Sequence, residues 1–181
     1  MKSKLAVAAA VAAVCALGVL LAAGQHWGSA TVIGAARQHL SVTGRQVSSA
    51  LPAFAGALIA FAVAIVATHG LLRRIVAVVG IGIAATEVAV AVHAHNDVGN
   101  ALAARAFGIA AGSVSTHVNS WWILAAAAGV VAAVAFGVVA VAGGGWQGMG
   151  ARYDAPRAAA RQKDPTVAAW EALDRGDDPT A

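Results

Sequence analysis

The chain has one cysteine and little charge, and each shortage excludes a class of protein. Cys15 alone cannot form an internal disulfide, and it cannot supply the cysteine pairs of a structural zinc site. Asp, Glu, Lys and Arg make up 11% of the 181 residues, against about a quarter in a soluble globular domain, so an ordinary soluble fold is excluded. There is no nucleotide-binding glycine loop and no nucleophile with a base at usable spacing, so no catalytic residue and no cofactor is assigned. What the chain has is hydrophobic residues, 60% of the total, and a mean hydropathy of +0.75. The lipid bilayer is its solvent. The net charge of +4 comes from Lys and Arg placed beside apolar runs and not gathered on one basic face, which marks topology and excludes nucleic acid as a partner.

The run at residues 121–143 sets the frame. Trp121 and Trp122 open it, no charge interrupts it, and Gly143, Gly144 and Gly145 break it. Indoles suit the membrane interface, with Trp146 at the other side, and Arg152, Arg157, Arg161 and Lys163 follow close enough to fix orientation, so the C-terminus is expected in the cytoplasm. Residues 5–23, preceded by Lys2 and Lys4, fit either a signal peptide cleaved near Ala23 or a first span. An uncharged run of this length exceeds the usual secretory core of about 7–15 residues and can cross a bilayer at about 1.5 Å per residue, which favours a retained span with Cys15 as a packed thiol. Residues 51–68 form the second span, with Pro52 in its first turn. His69, Gly70, Arg73 and Arg74 make a basic inner turn, and residues 75–92 return as the third span, where Gly80 and Gly82 allow a neighbouring helix to come close.

The expected fold is therefore all-α: a polytopic membrane protein with four transmembrane helices (residues 1–145) and a short helix in a cytoplasmic tail (residues 146–181). It is placed in the cell (plasma) membrane as a multi-pass protein with both termini cytoplasmic, leaving residues 24–50 and 93–120 as outer loops. In the first loop Trp27 reads as an interfacial anchor, and Ser41, Val42 and Thr43 as a short extended piece ending at Gly44. In the second, Asp97 reads as the cap of a short interfacial helix through Leu102, Ala106 and Phe107. In the tail, Asp164 and Pro165 start a helix, Glu171 and Arg175 are spaced four apart, and Gly176 ends it. Trp170 and Leu173 share its apolar side, which points to docking.

Glu87 is the ionisable residue well inside a predicted span. In hydrocarbon it costs several kcal/mol unless it faces the bundle, is protonated or has a partner, so it is a candidate intramembrane polar site. The alternative is a structural hydrogen bond near the outer end of the third span. His93, His95 and Asp97 alternate at spacing two and could in principle ligate zinc or copper with His26, His39 and His117. On a helix, however, His93 and His95 would point some 200° apart. These histidines are read as solvated interfacial residues, and no metal and no haem are assigned.

The tail carries a more specific pattern. Trp121 and Trp122, then Trp146, Gly148 and Met149 leading into Arg152, Tyr153, Asp154 and Pro156, and finally Trp170, Leu173, Asp174, Arg175, Gly176, Asp177, Asp178 and Pro179 resemble the tryptophan-operon-associated membrane proteins of actinobacteria. Val42, Thr43, Gly44 and Arg45 before Pro52 add a weaker match. The resemblance implies a small multi-span protein associated with tryptophan biosynthesis, and by itself implies no reaction. Arg152, Tyr153 and Asp154 stand where side chains meet headgroups or a partner, and Trp170, Asp174, Arg175, Asp177 and Asp178 are candidate partner contacts, or else close the cytoplasmic end of the bundle. The expected function is a non-enzymatic accessory or interaction protein, with a membrane or cytoplasmic protein partner reached through the tail. The alternative is a transporter or export factor for tryptophan, indole or a related aromatic metabolite using Glu87. Four spans are few for a monomeric carrier, so transport would call for an oligomer.

Overall fold

A computed structural model describes residues 2–34, 37–106 and 111–143. The chain divides into two units, Met1–Gly148 and Met149–Ala181. The second unit lies outside the described residues, and with it the helix expected after Pro165 and the tail residues Arg152, Tyr153, Asp154, Trp170, Asp174, Arg175, Asp177 and Asp178.

In chain order the elements are α1 (Lys2–Gly24), β1 (His26–Gly34), β2 (Arg37–Thr43), the single turn α2 (Gly44–Val47), α3 (Ala50–Ala67), α4 (Gly70–Ala106), β3 (Ala111–Val118) and α5 (Trp121–Ala142). Long runs of Ala, Val, Leu and Ile form helices here because a bilayer offers no partners for backbone N–H and C=O groups, and a helix satisfies them internally. Four helices, α1, α3, α4 and α5, are long and apolar enough to cross a membrane. They run up and down in turn, α1 packing on α3 and α5, and α4 on α3 and α5. Their outward faces carry Val63, Val78 and Val134, each more than half exposed, a surface that suits acyl chains. Inside, Ala12, Ala16 and Val19 of α1 meet a core that includes Leu58, Ile65, Ala84, Ala132 and Phe136. The first helix is thus part of the bundle core, and Cys15 is buried within it. The chain turns from α3 into α4 through Gly70, whose φ of +58° is a conformation that favours glycine.

Two features depart from the sequence expectation. The helix that holds the third span does not stop near residue 92: α4 runs unbroken for 37 residues, about 55 Å, well beyond a hydrocarbon core of about 30 Å. Asp97 is accordingly mid-helix and caps nothing; it pairs with His93 one turn earlier at 3.2 Å. The helix persists because its buried positions keep their spacing past the span, through Ala91, Ala94, Val98 and Leu102.

The second departure is a sheet where loops were expected. β1, β2 and β3 form a three-stranded antiparallel sheet in the order β2-β1-β3, in which the expected short piece at Ser41–Thr43 is the end of a seven-residue strand. Ser29 faces Ser41 on one side and His117 on the other. Ala30 and Val32 of β1 are buried, and the sheet packs on the overhanging part of α4. Gly28 sits so close to that helix that a Cβ there would strike Val98 Cγ1 and come within 3.2 Å of Leu102 Cδ1.

Trp27 is the anchor of this junction and not of the lipid interface. Its indole is 1% exposed, and Nε1 donates to the Ala22 carbonyl at 2.8 Å in the last turn of α1. Gly44 leaves the space for it, since a Cβ at 44 would lie 2.6 Å from the indole. Arg105 Nη1 ties the end of α4 to β2 through the Ser41 carbonyl at 2.6 Å. Asn119 ties the start of α5 to β1, its backbone N–H donating to Trp27 O at 2.7 Å and its side chain to His26 O at 3.0 Å.

Candidate functional site

The buried residues of α4 are Arg73, Ala77, Gly80, Ala84, Glu87, Ala91, Ala94, Val98 and Leu102, separated by steps of four and three. That is the spacing of a helix seam that keeps facing one neighbour, and most of its members are small, as close helix approach in a membrane requires. Against α5 the seam has a fixed antiparallel register in which the numbers of facing residues add to 216. Arg73 reaches Gly143, Gly80 lies under the ring of Phe136, and Glu87 faces Gly129. The same register sets Ala84 opposite Ala132 and Ala91 opposite Ala125, all four fully buried. Each large residue named here, Arg73, Phe136 and Glu87, thus faces a glycine, and elsewhere alanine faces alanine.

Glu87 is 0% exposed, and neither carboxyl oxygen has a hydrogen-bond partner among the described residues. Its seat is made by Gly129, because a Cβ at that position would collide with Oε2 and lie 2.6 Å from Val88 Cγ2. The register puts Glu87 eight residues from the start of α5 at Trp121, about 12 Å along the axis, and fourteen from Gly143, about 21 Å. The carboxyl is therefore nearer the sheet end of the bundle.

At the sheet end, His95 stacks on Trp122, with ring centroids 4.5 Å apart and planes at 21°. Its Nδ1 is buried and has no hydrogen-bond partner among the described residues. His93 turns away to the exposed surface and pairs with Asp97. The helix therefore separates His93 from His95, and among the described residues no three His, Cys, Asp or Glu side chains gather as a metal site would need. His39 Nδ1 lies 3.1 Å from the Thr31 hydroxyl across β1 and β2, apart from this seam.

At the opposite end, Arg73 is fully buried and is not a solvated turn residue. Its Nε and Nη2 donate to Thr68 O at 2.9 and 2.5 Å, and Nη1 donates to Gly143 O at 3.0 Å. Thr68 and Gly143 are the C-caps of α3 and α5, so one guanidinium serves the negative ends of two helices, whose last carbonyls lack intrahelical donors. Arg74 beside it is exposed.

Of the small residues noted in the sequence, Gly80 does admit a close neighbour, its Cβ position lying 3.0 Å from the Phe136 ring, whereas Gly82 has nothing within 4 Å and accepts the Thr86 hydroxyl at 2.8 Å. Sequence inspection found Glu87 but missed Gly129, Trp122 and Arg73 as its companions on the seam. The signal was the step of four and three from Arg73 onward, hidden because Ala and Val occupy every other face as well.

The profile of the tryptophan-associated transmembrane proteins matches residues 6–180. No curated protein and no solved structure matches the chain. With four apolar helices long enough to span a bilayer and a match that covers nearly its whole length, the chain is an integral membrane protein and belongs to the tryptophan-associated transmembrane protein family.

Proposed function

We propose that the protein is a non-enzymatic accessory of tryptophan metabolism that acts by contact with other proteins. The observation that carries this reading is the continuity of α4, one helix from the bundle core to the end of a sheet held by Arg105, Asn119 and Trp27. Such a sheet is a rigid display on a membrane stem, and its ties are structural contacts. The cytoplasmic tail, with Trp170 and Asp174 to Asp178, supplies the second contact surface. In this reading the protein lies in the plasma membrane with both termini inside: Lys2, Lys4, Arg73 and Arg74 are at the end opposite the sheet, where positive residues are retained.

The test is the size of the complex that the full-length protein forms in its own membrane, measured by native mass spectrometry after mild extraction. Replacing Trp170 and Asp177 with Ala is expected to release a partner and leave the bundle folded. A wild-type protein that extracts as the chain and lipid alone would sink this reading.

A second reading is favoured by Glu87, whose buried carboxyl has no partner among the described residues. This is an exporter of tryptophan, indole or a related aromatic metabolite. It predicts flux of labelled indole or tryptophan in vesicles that is lost in Glu87→Gln. Equal flux with and without the protein would remove it.

A further inference from the structure

The outer side of the α1–α5 pair is hollow. A groove of about 570 Å³ runs along it, walled by Val7 of α1 and by Val134 and Val138 of α5, where the small side chains of Ala8 and Ala135 leave room. That volume is of the size that small-molecule sites have. The two helices are antiparallel: a Cβ on Gly18 would lie 3.5 Å from Ala128 Cβ, and fourteen residues along each helix from that contact Lys4 comes level with Ala142. Lys4 thus stands at the mouth of the groove, at the end of the bundle where Arg73 caps α5. From Val131 to Ala142 the groove follows α5 for eleven residues, about 16 Å. That is about half of a hydrocarbon core of about 30 Å, the depth of one leaflet.

Apart from Lys4, every described residue that lines the groove is Val or Ala. An indole or an amino acid would leave its polar groups there without partners, whereas an acyl chain has none to satisfy. The charge at the mouth narrows the choice further. Lys4 is exposed and has no ion-pair partner among the described residues. Those residues hold two acids, Glu87 buried in the bundle and Asp97 toward the sheet beside His93. A second copy packed on this face about a two-fold axis along the membrane normal would set Lys4 against Lys4 with no acid between them, a like-charge contact that opposes pairing. An anionic headgroup supplies the missing charge.

From this arrangement we infer that the groove is a binding site for one anionic phospholipid of the leaflet at the Arg73 end. An acyl chain lies between α1 and α5, and the phosphate sits on the Lys4 ammonium, whose aliphatic stem carries the charge out of the hydrocarbon to headgroup level. The site holds under either reading of function, since it needs neither a cargo nor a protein partner.

The experiment uses the full-length protein in vesicles of phosphatidylcholine with a minor share of phosphatidylglycerol, extracted mildly and weighed by native mass spectrometry. The wild type is expected to keep one phosphatidylglycerol per chain, enriched about fivefold over its share in the vesicle, the ratio that about 1 kcal/mol from one basic residue gives. Lys4→Gln should bring phosphatidylglycerol down to its vesicle share, and Lys4→Arg should retain the enrichment. Ala135→Phe fills the hollow and should release the lipid, whereas Val63→Phe puts the same ring on the exposed face of α3 and should leave it bound. Helical circular dichroism checks that each variant is folded. Wild-type protein that carries the two lipids in vesicle proportion, or that extracts as a dimer without lipid, would overturn the inference, as would full retention in folded Ala135→Phe. Enrichment unchanged in Lys4→Gln would overturn the part given to Lys4.

Discussion

Glu87 and Gly129 face each other so closely across α4 and α5 that a methyl group on residue 129 would take the place of Glu87 Oε2. The acid and the glycine are one unit: a full side chain fits in the seam because its neighbour has none.

Gly129→Ala should therefore overpack the seam and lower stability by about 1–3 kcal/mol, the usual cost of an added carbon in a tight core. Combining it with Glu87→Ala should recover much of that loss, because the obstructing carboxyl is gone. Denaturant unfolding in mild detergent measures the coupling. Strictly additive effects of the two changes would show that the pair does not share the space.

Arg73 should matter more than a topology marker does. Arg73→Ala strips the donors from Thr68 O and Gly143 O, and each hydrogen bond to a charged group is worth about 1.5–3 kcal/mol. Arg73→Lys retains the charge but not the fork, and should fall between the two. Hydrogen exchange is expected to rise in the last turns of α3 and α5 together. A rise in one helix only would contradict the double cap.

The junction of sheet and bundle turns on Trp27. Trp27→Phe removes the bond to Ala22 O and should cost about 1 kcal/mol, while Trp27→Ala should cost about 3–5 kcal/mol through the cavity it leaves. Gly44→Ala should damage the same place by pressing on the indole. Thermal unfolding of the three variants gives the order; Trp27→Ala equal to wild type would return Trp27 to the lipid interface.

Arg105→Ala is expected to act locally. It frees Ser41 O on β2 and leaves the seam untouched, so amide exchange in Arg37–Thr43 should quicken while the bundle unfolds at the wild-type temperature. Loss of the whole fold would mean that the sheet supports the helices.

How much could be read in advance depended on how local each signal is. Hydrocarbon demands long apolar runs, so the runs that contain α1, α3 and α5 are visible in composition, and so is Glu87 as the acid among them. The overhang of α4 is not, because Asn96 and Asp97 look like a loop with a cap; only Ala94, Val98 and Leu102 show that the helix goes on, and their role needs a sheet to pack against. The sheet itself is held by pairs such as Ser29 with His117, far apart in the chain and joined through backbone. No local pattern records such a pairing. Trp27 was misleading for a related reason: beside a span, an indole usually marks the interface, but here a strand and Gly44 close over it. Glu87 was legible as a cost, whereas Gly129, the feature that accommodates it, is one glycine in a run of Ala and Val.

The unbroken α4 also has a mechanical consequence. From Arg73 at one end to Arg105 at the other it is a rod of about 48 Å. A tilt of about 5° about the Arg73 end would sweep Arg105, and the β2 strand it holds, sideways by about 4 Å at that length. The length of α4 thus sets how far the strand held by Arg105 stands from the double cap at Arg73.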